Sequence, residues 1–196
     1  KSGSDKFKGS GRFYVTDDSM QATNVTDTLR AQGASSGNPI QNIKDYGLEM
    51  GGPIVKGKAW IWGSYGKNDI GVGVNGFFLK ESEQAGCGKF KGLNNAQLAA
   101  YPFDDVKACL NTDLTTLEAY NLKFNWRVSS KDTFSLFSNI ASKVRNARGA
   151  DDLHPIDATN RQKGVEDPAL GSKWWKTGAN KTYKASFRHV FSDKFM

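Results

Sequence analysis

Hydrophobic and polar residues alternate with period two along several stretches of this chain, the mark of ribbons with one dry and one wet side. Over residues 6–16, Phe7, Gly9, Gly11, Phe13 and Val15 fall opposite Lys8, Ser10 and Arg12. Tyr46, Leu48, Met50, Gly52 and Ile54 then oppose Gly47, Glu49 and Gly51, and a short basic turn at 55–58 leads into Ala59, Trp60, Ile61 and Trp62, which predicts a tight hairpin. The cleanest pattern sets Tyr120, Leu122, Phe124, Trp126 and Val128 against Asn121, Lys123, Asn125 and Arg127. After a turn at 129–132, Phe134, Leu136, Ser138, Ile140 and Val144 alternate with Ser135, Phe137, Asn139, Ala141 and Lys143. A last ribbon sets Tyr183, Ala185, Phe187, His189 and Phe191 against Thr182, Lys184, Ser186 and Arg188, and a further short turn begins at Ser192.

Three polar stretches, 17–44, 67–114 and 145–180, carry no sustained period and are expected to be long loops. A short helix is expected at 94–101 within the second. Long and short connections thus alternate strictly, as they do in outer-membrane barrels, where one rim has tight periplasmic turns and the other extended extracellular loops. Aromatic placement agrees: Tyr120 and Trp126, and likewise Tyr183 and Phe191, lie near opposite ends of an apolar face. At ~3.4 Å per residue and ~45° tilt, the Tyr183 to Phe191 span covers about 19 Å, close to the ~25 Å apolar band between aromatic girdles.

The expected fold class is therefore all-β, a segment of an antiparallel up-and-down transmembrane β-barrel with about six strands. Six ribbons fall short of the roughly eight that close a spanning barrel, so the whole chain is expected to be one partial barrel domain with more strands beyond Met196. The alternative of another class is a soluble β-sandwich module binding carbohydrate.

Composition removes some competing classes. No apolar run approaches the ~18 to 20 residues a membrane helix needs, which excludes a helical membrane protein. The mean hydropathy of -0.57 does not exclude a barrel, because lipid-facing and lumen-facing residues average out. A net charge of +7 raises the question of a polyanionic partner, but Lys and Arg are scattered without a basic run, and no nucleic acid is expected. The chain begins at Lys1 without a leader, as a mature or excised piece would.

Chemistry-bearing residues are few. His154 and His189 stand at no metal-ligand spacing from each other or from Cys87 and Cys109, so no metal, no cofactor and no catalytic group is expected, and the chain is not read as an enzyme. Gly71, Gly73 and Gly76 fit a G-x-G-x-x-G string, read as chance in a loop lacking a Rossmann strand before it and a helix after it. Asp104 with Asp105 and Asp151 with Asp152 read as solvated loop residues. Trp174 and Trp175, flanked by Lys173 and Lys176, are candidates for contact with a solute or with interfacial lipid. Glu49, Lys123, Arg127, Lys184 and Arg188 are the candidates for lining the lumen. Cys87 and Cys109 share one polar segment and form a candidate disulfide, consistent with an oxidising compartment.

Two segments resemble a known family. The opening KSGSDKFKGS is similar to the segment that begins the barrel of TonB-dependent outer-membrane receptors, just after their plug domain. The string YGLEMGGPIVKGKAWIWGSY at 46–65 resembles a hairpin of the Oar-like receptors, a group that often carries a carboxypeptidase-regulatory-like domain. Gly66 departs from the pattern, which commonly has Glu there, so no role of that carboxylate carries over. The resemblance implies a cell outer-membrane location and active import of a bulky solute such as a siderophore, glycan or peptide. The barrel would have about 22 strands and a plug. Implied partners are outer-membrane lipid, the protein's own plug and, through a segment ahead of Lys1, the inner-membrane TonB complex.

Overall fold

The computed structural model describes residues 4–22, 24–34, 38–145, 150–153, 175–176 and 180–192. Its frame is one antiparallel sheet of β1 (Lys8–Asp17), β2 (Ile40–Val55), β3 (Ala59–Phe78), β4 (Leu110–Arg127), β5 (Asp132–Arg145), β6 (Trp175–Lys176) and β7 (Asn180–His189). Each strand pairs with its successor as far as β5, whose outer edge takes both β6 and β7. The ribbons therefore run up and down in chain order, as the alternation predicts. No described helix is long and apolar enough to cross a membrane.

Short turns join the strands at one end. Gly57 takes φ +72, a left-handed conformation that glycine adopts without steric cost, and the Lys58 amide closes the turn on the Val55 carbonyl at 3.0 Å. Pro53, which has no amide to donate, sits beside a bulge where the β2–β3 register shifts. In the next turn the Ser129 hydroxyl accepts from the Asp132 amide at 3.1 Å and donates to the Asp132 carboxylate at 2.5 Å.

Register sorts the side chains into rows on two faces. On one face run Gly11, Leu48, Tyr65, Tyr120 and Ile140, then Met50, Gly63, Leu122, Ser138 and Tyr183. Next come Gly52, Ile61, Phe124, Leu136 and Ala185, and below them Ala59, Trp126, Phe134 and Phe187. Charged or polar rows bound this band, with Lys67, Glu118 and Ser142 above it and Asp132 and His189 below. From Asp132 to Ser142 along β5 the rise is about 34 Å, or about 24 Å of height at ~45° tilt, which matches the apolar thickness of an outer membrane. The side chains of this band are open: Leu48 is 57% exposed, Met50 62%, Leu122 51% and Phe187 65%. A water-soluble sandwich would cover such a face with a second sheet, and none of the described residues does so.

The band has an aromatic upper margin. The Tyr65 and Tyr120 rings lie 5.0 Å apart, Tyr46 is 6.5 Å from Tyr65, and both Tyr65 and Tyr120 donate to Glu118 at 2.9 Å. Such rings suit the boundary between hydrocarbon and headgroups. Tyr183 sits one row below Tyr120, and Phe191 lies past the Asp132–His189 row with its ring edge-on to His189 at 4.6 Å.

The main buried core lies in the second loop rather than in the sheet. Phe78, Cys87, Phe90, Leu98, Val106, Cys109 and Leu110 pack together, and a disulfide joins Cys87 to Cys109. Short helices α2 (Asn95–Leu98) and α3 (Phe103–Ala108) wrap this core. A reciprocal cap starts α2, with Asn94 accepting from the Gln97 amide and Gln97 from the Asn94 amide.

Several sequence expectations need correction. β2 begins at Ile40, β3 runs to Phe78 and β4 starts at Leu110, so the second loop shrinks to 79–109 and the other two also lose residues to strands. Above the Lys67–Glu118 row polar and apolar residues mix on both faces, with Asn68, Ile70 and Leu117 on one and Asp69, Leu114 and Thr116 on the other, so the hydrophobic alternation vanishes while backbone pairing continues. Gly71 and Gly73 accordingly stand in β3 opposite Leu114 and Thr112, not in a loop. The first loop carries α1 (Asp27–Ala31), capped by the Thr26 hydroxyl accepting from the Leu29 amide. The helix expected at 94–101 is shorter, and α3 follows it with Asp104 and Asp105 in its first turn.

Candidate functional site: a polar wall beneath a folded cap

The face opposite the aromatic margin is a polar wall. One row crosses the whole sheet as Ser10, Glu49, Ser64, Asn121, Asn139 and Thr182. Its members bond to one another: Ser10 donates to Glu49 at 3.0 Å, Asn121 to Ser64 at 3.1 Å and Asn139 to Asn121 at 2.7 Å. Such a ladder satisfies polar groups sideways and fixes the strand register. The row above it is nearly bare, with Gly47, Gly66, Ala119 and Ala141 following Arg12. The Arg12 guanidinium lies in that space, since a β-carbon on Gly47 or Gly66 would come within 3.3 and 3.2 Å of its terminal nitrogens, and it pairs with Asp45 at 2.8 Å. The resulting shallow depression has a volume of about 440 Å³.

The register sets every candidate lining residue on this face. Glu49 belongs to the ladder, Lys123 and Lys184 share a row with Trp62 and Phe137, and Arg127 and Arg188 flank Thr133. Trp60 and Trp62 also belong to this face, although their rings resemble those of an apolar ribbon. Their even numbers, in phase with Ser64, were the available signal. At the turn end of the wall, Asp5 accepts from the Trp60 indole and the Gly57 amide, each at 2.9 Å, and the Arg127 guanidinium lies 5.7 Å from the Trp60 ring centre. The Gly57 amide first, and the Trp60 indole second, hold the Asp5 carboxyl below its ordinary range.

At the opposite end the loops form one cap. Arg30 of α1 donates to the Ala99 and Tyr101 carbonyls at 3.2 and 2.7 Å and lies over the Phe103 ring at 5.5 Å. Lys107 of α3 pairs with Asp18 at 2.5 Å, a second tie between the first and second loops. Asp152 accepts from the Phe78 amide at 3.0 Å and the Gly92 amide at 3.3 Å, so this carboxylate is a staple of the cap rather than a solvated turn residue. Within the cap Glu81 accepts from the Gly86 and Gly88 amides at 2.7 and 2.9 Å, and these bonds hold its carboxyl below the ordinary value.

The remaining candidates are placed only in part. Trp175 and Lys176 form β6, opposite Arg145 and Val144, rather than lying in a loop. Lys173, Trp174 and His154 lie outside the described residues. His189 pairs with Asp132 at 2.6 Å. Among the described residues no group of His, Cys, Asp and Glu is arranged to hold a metal ion.

An uncovered apolar band of membrane height on one face, backed by a polar wall, describes a barrel stave, and residues 1–144 match the family model of the outer membrane beta barrel domain. The chain belongs to that family. No curated protein and no solved structure matches it. This outer-membrane barrel domain resides in the outer membrane; in barrels of that membrane short turns face the periplasm, long loops the outside of the cell and the polar face the lumen.

Proposed function

We propose that this barrel domain is the first part of the wall of a plugged, TonB-dependent receptor that imports a bulky solute. The observation that carries the proposal is the hairpin at 46–65, whose sequence resembles that of Oar-like receptors and whose inner face is the flat Gly47–Gly66 strip crossed by Arg12. A wall of glycine, alanine and short polar side chains gives a rigid plug a surface to lie against. A passive pore has no need of that flatness. On this reading Glu49, Lys123, Arg127, Lys184 and Arg188 hydrate the gap between wall and plug, and the chain carries out no catalysis. The folded cap adds support, since a disulfide-stapled loop docked on its neighbour is a surface suited to recognition rather than to free diffusion.

The test is uptake by cells producing the whole receptor, offered a panel of fluorescent ferric chelates, oligosaccharides and peptides. Accumulation of at least one solute that stops when the proton-motive force is collapsed or TonB is deleted is the expected result. Leakage of small hydrophilic dyes through the purified protein in liposomes, with no energised uptake, would identify a passive pore and end the proposal.

A further inference from the structure

The polar wall is basic over the half nearer the short turns. One row there reads Lys8, Gly51, Trp62, Lys123, Phe137 and Lys184 across the sheet. The next row on the same face sets Trp60 beside Asn125, Ser135 and Ser186, and the one after it sets Arg127 and Arg188 on either side of Thr133. No carboxylate stands among these residues. Asp5, at their foot, already accepts from the Gly57 amide and the Trp60 indole. The five cations and this acid sum to +4 (Lys8, Lys123, Lys184, Arg127 and Arg188 each +1, Asp5 -1), and counting Glu49 of the ladder above still leaves +3.

At ~4.8 Å between strands, Lys123 and Lys184 stand about 10 Å apart across the sheet, and Lys123 and Arg127 about 14 Å apart along β4. Like charges at this spacing repel, and only water in front of them screens the repulsion, since hydrocarbon lies behind the sheet. A protein surface laid close against the wall displaces that water and buries the charges, which is strongly unfavourable unless it brings carboxylates of its own. Trp62 and Phe137, alternating with the lysines, are apolar area that such a contact covers. We infer that the side of the lumen-filling domain laid against this half of the wall is acidic, with carboxylates in two tiers, one meeting Lys123 and Lys184 and the other Arg127 and Arg188. The inference rests on the import reading, of which it names the chemistry of the plug's facing side. Complementary charge also fixes how the plug is turned within the barrel, because the bare strip of Gly47, Gly66, Ala119 and Ala141 gives it nothing to grip.

The whole receptor in lipid nanodiscs is treated with a carbodiimide, which joins a lysine amine to a carboxylate in contact with it, and the linked peptides are identified by mass spectrometry. Lys123 and Lys184 are expected to be joined to Asp or Glu of the plug. Lys123→Arg with Lys184→Arg should abolish the links yet leave the urea midpoint of plug release unchanged, whereas Lys123→Gln with Lys184→Gln should lower that midpoint. Lysines that acetylate freely and form no such link, or Gln variants with the parent's midpoint, would overturn the inference. Shielding of both lysines only by added tripolyphosphate would overturn it too, and would assign the wall to an anionic solute. Energised uptake without the links refutes the acidic face alone. Links to the plug without energised uptake refute the import reading and leave the acidic face standing.

Discussion

Glu81 shows how one side chain can organise a loop. Its two oxygens take the Gly86 and Gly88 amides, which the left-handed turn at Gly86, φ +84, brings into reach. Because the folded carboxyl is held below its ordinary value of 4.5, its contribution is complete above that pH and is lost as the pH falls through the lower, folded value. Hydrogen exchange at the Gly86 and Gly88 amides, corrected for intrinsic rate, should quicken on acidification below about pH 4. Glu81→Gln should show the fast exchange already at pH 7, and full protection in that variant would disprove the role. At this scale the sequence was only partly legible. Glu49 and Lys123 were readable because they interrupt apolar alternation with charge, whereas Trp60 and Trp62 were hidden because an aromatic on the wet side resembles one on the dry side.

The elements divide into two kinds by what stabilises them. The strands are held by ladders that bilayer insertion completes, while the second loop has its own small core and a disulfide across a separation of 22 residues. Closing a loop of that length is worth about 3 kcal/mol on the chain-entropy model. Cys87→Ser with Cys109→Ser should therefore open the loop to proteolysis between β3 and β4 while the folded sheet persists. Limited trypsin digestion of outer-membrane fractions measures this, and an unchanged digestion pattern would count against an independent loop core. The ribbons inside the membrane were legible from Tyr120, Leu122 and Phe124 against Asn121, Lys123 and Asn125, because hydrocarbon on one side and water on the other write period two into the sequence. Strand continuations such as Lys67 to Phe78 were not, because Lys67, Asp69 and Thr116 have water on both sides. The α1 helix, with its single capping threonine, left too short a signal to stand out from a polar loop.

For the whole molecule, the decisive asymmetry is between the two faces of one sheet. Leu122→Arg places a cation near the middle of the apolar band and should cost about 2 to 4 kcal/mol of folding stability in lipid. Asn125→Arg, on the lumen face of the same strand, should cost far less. Urea unfolding in lipid vesicles compares the two, and equal losses would mean that the bilayer is not what the apolar face meets.

β3 and β4 stay paired beyond the Lys67–Glu118 row as far as Phe78 and Leu110, about 27 Å along β4 and roughly 19 Å of height at ~45° tilt. The barrel thus stands above the bilayer like a chimney. Its opening lies clear of the lipid headgroups, so an arriving molecule, an antibody or a phage tail meets the stapled crown long before it can touch the membrane.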